Sequence, residues 1–225
     1  MRYFVSSPLP ICVPFIEDLR EQLGRENYIP RDLDKPEPIL SKFTPTAFVT
    51  SETVRGIRLV AANGTHTLIA SNHTFATRWD VPYGENYGGF EETVLRPQGV
   101  LMDAISRLLG SEDLGVTGVN LEYTNIVDMS DQTEVSSYLN GSHWPTIGNA
   151  KGSTIVMRWQ DNGMEQRLEV MNSETADHFN LTNVGGSVVQ GDLPSTVSAV
   201  HEKLRENFLV QITDFAKTEW QYDNS

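Results

Sequence analysis

The stretch "GVNLEYTNIVDM", residues 118–129, holds the side chains whose types and spacing best suit chemistry. Read as a strand, it sends Val119, Leu121, Tyr123, Val127 and Met129 to one face, and Asn120, Glu122, Thr124 and Asp128 to the other. Asn125 falls on the apolar side, where an uncompensated buried amide costs about 1–3 kcal/mol. It is therefore expected to be hydrogen-bonded. Either it satisfies backbone at a sheet edge or helix end, with His201 or Thr213 in the same network, or it recognises a ligand. The second alternative is an enzyme or small-ligand receptor with a site between the sheet and the last helix, built from Asn125, Tyr123, His201 and acids such as Glu122. His201 follows Val200 on the apolar flank of that helix, where a histidine is a semi-buried structural residue or a catalyst.

Signatures of other chemistries are missing from the sequence. There is no G-x-x-x-x-G-K-[ST] phosphate loop, and "GGSVVQGD" has no lysine. No G-x-S-x-G nucleophile elbow occurs. The histidines, His66, His73, His143, His178 and His201, show no H-E-x-x-H spacing, and Asp128, Asp131 and Glu134 lack the glycine and terminal glutamate of an EF-hand loop. Neither metal nor cofactor is expected, although a composite site assembled in three dimensions stays open. Cys12 is the only cysteine, which excludes an internal disulfide and a multi-cysteine zinc site and suggests a small buried hydrophobe.

Lys and Arg number 17 against 30 Asp and Glu, a net charge of −13. That field repels phosphates, so direct nucleic-acid binding is not expected. It suits a solvated surface, a basic partner protein or an acidic DNA mimic. No apolar leader or membrane-length run is found, so the expected location is the cytoplasm, where the sequons at Asn63, Asn72, Asn140 and Asn180 stay unmodified.

Positioning the candidate residues requires a sheet. "RGIRLVAANGTHTLIAS" reads as a hairpin turning at Asn63-Gly64, with Leu59 opposite Leu68 and Ile57 opposite Ala70. "STIVMRWQDNGMEQRLEVM" turns at Asn162-Gly163, with Met157 opposite Leu168, Ile155 opposite Val170, Arg158 opposite Arg167 and Val156 opposite Glu169. Residues 2–6 and "SNHTFATRWDV" suggest further strands, and "HFNLTNVGGSVVQG" a weaker one. Helices are expected from Pro14 to Leu23, from Pro97 to Leu109 with Val100, Leu101, Ala104, Ile105 and Leu108 on its stripe, and from Pro194 to Trp220 with Val197, Val200, Leu204, Phe208, Ile212 and Phe215. The order hairpin, strand, helix occurs twice. The fold class is α+β, with a mainly antiparallel sheet and helices packed on one side, as one domain 1–225 or as two similar halves, 1–112 and 113–225, sharing a core. "SDQTEVSSYLNGSHWPTIGNAKGS" reads as a surface loop, or a short helix plus loop, whose His143 and Trp144 are candidates for contacting a partner.

Four segments carry a resemblance: "SSPLP", "FATRW", "VTGVNLEYTNIV" and "LPSTVSAVHEKLRENFLVQITDFAKTEW". In order and spacing the chain resembles a sporadically distributed, uncharacterised bacterial family. Its members have a proline-rich start, a Tyr-x-Asn element in a central strand, and a C-terminal helix with a His before a Phe and a Thr. The matching positions are Tyr123, Asn125, His201, Phe208 and Thr213. Leu121-Glu122 stands where a basic residue commonly precedes the tyrosine. The resemblance implies mobile or defence-associated genes and no established activity. The expectation is a non-enzymatic protein-binding component of a bacterial or phage conflict system, an adaptor, inhibitor or immunity-type factor. Edge strands allow a homodimer.

Overall fold

The computed structural model describes residues 1–24, 27–32, 56–62, 64–80, 89–129, 135–141, 152, 154–173 and 178–219. The candidates His143 and Trp144, the turn residue Asn63 and the segments 33–55 and 81–88 lie outside them. The fold is α+β with antiparallel strand pairing, in two units, 1–118 and 119–225.

The first unit runs β1 (Arg2–Val5), α1 (Val13–Leu23), β2 (Tyr28–Asp32), β3 (Gly56–Ala61), β4 (His66–Ser71), β5 (Thr74–Trp79), a π-helical turn (Glu91–Leu95) and α2 (Arg96–Leu109). Its strands lie in the order β2-β3-β4-β5-β1. The expected pairs Leu59–Leu68 and Ile57–Ala70 form, and the same face continues through Ala70–Phe75 and Phe75–Tyr3. Side-chain alternation puts these apolar groups on one face. There they are buried, with Leu19 of α1 and Leu101 and Ile105 of α2 completing the core. Burial pushes the Tyr3 phenol up to about 12, so it stays neutral.

Two expectations fail in this unit. Cys12 is exposed, because it is the capping residue just outside α1, in extended backbone (φ −141°). Val100 is 48% exposed, and Gln98 is buried in its place. At about 100° per residue, Val100 points well away from the Gln98–Leu101–Ile105 stripe.

The second unit runs from β6 (Val116–Asp128), which begins at the end of the first, through α3 (Val135–Tyr138), β7 (Thr154–Asp161), β8 (Met164–Asn172), β9 (His178–Val188), α4 (Leu193–Gln211) and α5 (Asp214–Glu219). Its strand order is β6-β9-β8-β7. Asn162 (φ 50°) and Gly163 (φ 80°) make the left-handed turn their types favour, and every cross-strand pair expected for this hairpin is present. Beneath α4, the Gly185 position leaves no room for a side chain: a Cβ there would lie 2.8 Å from Leu204.

The expected helix to Trp220 is interrupted. Ile212 is extended (ψ 147°) and pairs with Leu139 in an isolated antiparallel bridge. Thr213 N donates to Tyr138 O (2.9 Å), and Asn140 Nδ2 donates to Val210 O (3.0 Å) and Ile212 O (2.7 Å). The chain at 138–140 thus takes over the carbonyls and amides that a continuing helix would use. α5 restarts with Thr213 as its cap, Oγ1 accepting from Ala216 N (3.1 Å). The restart buries Ala216 and leaves Phe215, expected on the stripe, 46% exposed.

Set side by side, the units repeat one order: strand, helix, hairpin, strand, helix, as β1-α1-β3-β4-β5-α2 and β6-α3-β7-β8-β9-α4. In each, the opening strand lies beside the strand that follows the hairpin, and the first unit adds β2. No helix among the described residues is long and apolar enough to cross a membrane.

Candidate functional site

In the second unit the sheet residues that face α4 alternate with those that face away, and most are apolar. Three are not. Tyr123 on β6, Asn183 on β9 and Gln166 on β8 each meet a polar group of α4. Thr124 Oγ1 lies 3.1 Å from Thr182 Oγ1, while Gly186 lies against Val119 and Asn120. Residue numbers rise along one strand as they fall along the other, so the pair is antiparallel and Tyr123 is beside Asn183.

Tyr123 Oη is 2.8 Å from His201 Nδ1, the rings tilted at 49°. Asn183 Nδ2 donates to the Leu204 carbonyl (3.0 Å), and Asn207 Nδ2 donates to Gln166 Oε1. Positions 201, 204 and 207 are successive three-residue steps that sweep across the helix underside, so one helix reaches three neighbouring strands. Asn183 and Gln166 are each only 3% exposed, and Asn183 Oδ1 and Gln166 Nε2 have no hydrogen-bond partner among the described residues. Burial lowers the His201 pKa, Glu202 opposing and Arg205 adding to the shift, so the imidazole is neutral at pH 7. A neutral imidazole against a phenol can exchange one hydrogen-bond proton in either direction, and the contact also ties α4 to β6.

Of the residues singled out in the sequence, the structure brings Tyr123 and His201 together. Asn125 lies on the same strand face, half-buried, and its side chain has no hydrogen-bond partner among the described residues. Glu122 is exposed on the opposite face. Thr213 is engaged elsewhere, donating to Ser137 O (2.6 Å) and capping α5. Phe208 is buried in the apolar cluster with Val127, Leu168, Phe179 and Ile212.

Asn183, Gln166 and Asn207 are not among the candidates the sequence offers, and Asn140 stands there only as a sequon. A signal for two of them exists: Gln166 shares strand parity with Leu168 and Val170, and Asn183 with Phe179 and Leu181. Polar residues at core parity need partners, which these find on α4.

A cleft of about 430 Å³ lies beside the same helix, lined by Asp161, Ser187, Gln190, Ser195, Thr196 and Lys203 among others. Lys203 Nζ sits 2.9 Å from Asp161 Oδ2 and 3.6 Å from Glu206 Oε2, and the Asp161 hydrogen bond raises its pKa. None of Tyr123, Asn125 or His201 lines this cleft. No group of three or more His, Cys, Asp and Glu suited to a metal ion occurs among the described residues.

No protein-family model, no curated protein and no solved structure matches the chain.

Proposed function

We propose that the chain is a non-enzymatic protein-binding component of a bacterial or phage conflict system, an adaptor, inhibitor or immunity-type factor acting in the cytoplasm. Its docking surface is the sheet face of the second unit that α4 leaves uncovered. The observation that carries this reading is the exposure of large apolar side chains there: Ile126 is 70% exposed, Val156 42% and Met171 41%. Ile126 shares strand parity with Thr124, and Thr124, Thr182, Glu169 and Val156 form one cross-strand row. Apolar groups rimmed by polar ones mark interaction surfaces, and methionine is enriched in them. The conflict setting rests on the sequence resemblance. Residues 119–225 hold 6 Lys and Arg against 15 Asp and Glu, a net −9, so the partner should present a basic surface.

The test is affinity purification of the tagged chain from its host, repeated with the Ile126→Asp/Met171→Asp double variant. A stoichiometric, basic partner captured by the wild type and lost from a variant with unchanged melting temperature is the expected result. A clean monomer or homodimer carrying a small molecule sinks the reading. It would favour the second one, an enzyme or ligand-binding protein, for which the cleft between Asp161 and Lys203 is the supporting feature.

A further inference from the structure

The first unit buries an amide that meets no partner among the described residues. Gln98 is 1% exposed, and neither Nε2 nor Oε1 has a hydrogen-bond partner there. An apolar side chain would fill that place without the desolvation penalty, so the amide calls for an occupant to bond.

Helix geometry explains how it comes to point inward. In the π-helical turn the Arg96 amide bonds the Glu91 carbonyl, a five-residue step that adds one residue to the turn. The buried positions then run Thr93, Gln98, Leu101, spaced five and three, where a plain α-helix would space them three and four. The extra residue thus brings two polar side chains onto the inner stripe. π-turns inserted in helices are frequent at functional sites.

The sheet supplies polar groups beneath this stripe. On the core face of β4 and β5, His66 pairs with Trp79 and Leu68 with Thr77, which puts His66 and Thr77 on a diagonal. The His66 and Trp79 rings are 6.4 Å apart. Both the π-turn and α2 pack on β5, and the backbone of Thr93 lies beside the His66 ring. Among the described residues the hydroxyl of Thr77, 4% exposed, has no partner, and His66, whose Nδ1 lies 3.1 Å from Thr65 Oγ1, buries an Nε2 without a hydrogen bond of good geometry. Burial lowers the His66 pKa against the opposing Thr93 contact, so this ring too is neutral.

We propose that Gln98, Thr77 and His66 form an internal recognition site for an uncharged group presenting a hydrogen-bond donor and acceptor side by side, the edge of a primary amide or of a nucleobase, with Trp79 as an apolar wall. A carboxamide is the complement of such an edge, offering one donor and one acceptor in a plane. The Thr77 hydroxyl and His66 Nε2 supply further bonds. A charged ligand does not fit, since no opposite charge stands among these residues to offset its burial.

The test is thermal unfolding of the full chain with acetamide, uracil and adenine as probes, alongside native mass spectrometry of the purified protein. The expected result is a co-purified uncharged molecule, or a rise in Tm with at least one probe that Gln98→Met abolishes and Thr77→Val weakens about tenfold in affinity, the worth of one hydrogen bond. A response to acetamide alone identifies an amide group, and a response to a base alone identifies a nucleobase. Should Gln98→Met fail to fold, Thr77→Val carries the comparison, because it removes only a hydroxyl. Three outcomes overturn the site: no bound molecule and no probe effect, equal probe effects in wild type and variants, or a crystal structure with only water on Gln98.

Discussion

At the level of single residues, the contact between Tyr123 and His201 makes a prediction about acid. The folded-state pKa of His201 is depressed by burial, while in the unfolded chain it returns to the ordinary value near 6.5. Between those two values the unfolded state binds more protons, so the stability this group contributes is present above about pH 6.5 and is lost as pH falls through the folded pKa. His66 shifts in the same direction. His201→Gln should therefore lessen, without abolishing, the fall in Tm between about pH 7.5 and about pH 5.5. Equal slopes in wild type and variant would refute the assignment. Asn125 teaches the opposite lesson. Strand parity puts it on the core face, but its place along β6 leaves it only half-buried, so water can reach its amide. Asn125→Leu is accordingly expected to change the unfolding free energy by no more than about 0.5 kcal/mol, read from a denaturant melt.

At the level of elements, close approach of helix to sheet decides more than propensity does. α4 rests on β9 where Gly185 has no side chain, and an added Cβ would overlap Leu204. Gly185→Ala is expected to cost about 1–3 kcal/mol in a denaturant melt, as Leu204 and its turn are pushed outward. An unchanged midpoint would mean that the helix rides more loosely over the strand. The hairpins were legible because an Asn-Gly turn and alternating side chains are local properties that specify register together. The end of α4 was not. Nothing in the 3-4 periodicity of "VHEKLRENFLVQITDF" interrupts the helix, and the groups that do so come from residues 138–140. The π-turn is not legible in the sequence for a related reason, since inserting one residue leaves composition and hydrophobicity unchanged while rotating every later side chain.

Across the whole molecule, charge is unevenly shared: 15 of the 30 acids but only 6 of the 17 basic residues lie in positions 119–225. A partner steered to that unit should associate more slowly as salt is raised from about 50 to about 200 mM, with a smaller change in dissociation rate. Stopped-flow or surface-binding kinetics with the captured partner would show this. Salt-insensitive association would place the contact on an uncharged part of the chain. The shared order of strands and helices in the two units also gives each a polar group buried under its second helix, Gln98 in one and Asn183 with Gln166 in the other. In both, oxygen or nitrogen atoms of these groups have no partner among the described residues, which makes the helix–sheet layer of each unit the place to look for bound water or ligand.

Strand periodicity, turn residues, the amphipathic helices, the acidic balance and the α+β class can all be read along the chain, because each depends on residues a few positions apart. The tertiary structure alone decides which strands become neighbours. Tyr123 reaches His201, 78 positions away, only because β6 lies beside β9 and α4 covers both. The same arrangement gives Asn183 the carbonyl of Leu204, uses Asn140 to stop a helix 70 residues further on, and leaves Ile126 facing solvent on a strand whose other face is core. Burial belongs to a position in space, and contacts between distant segments of the chain set it.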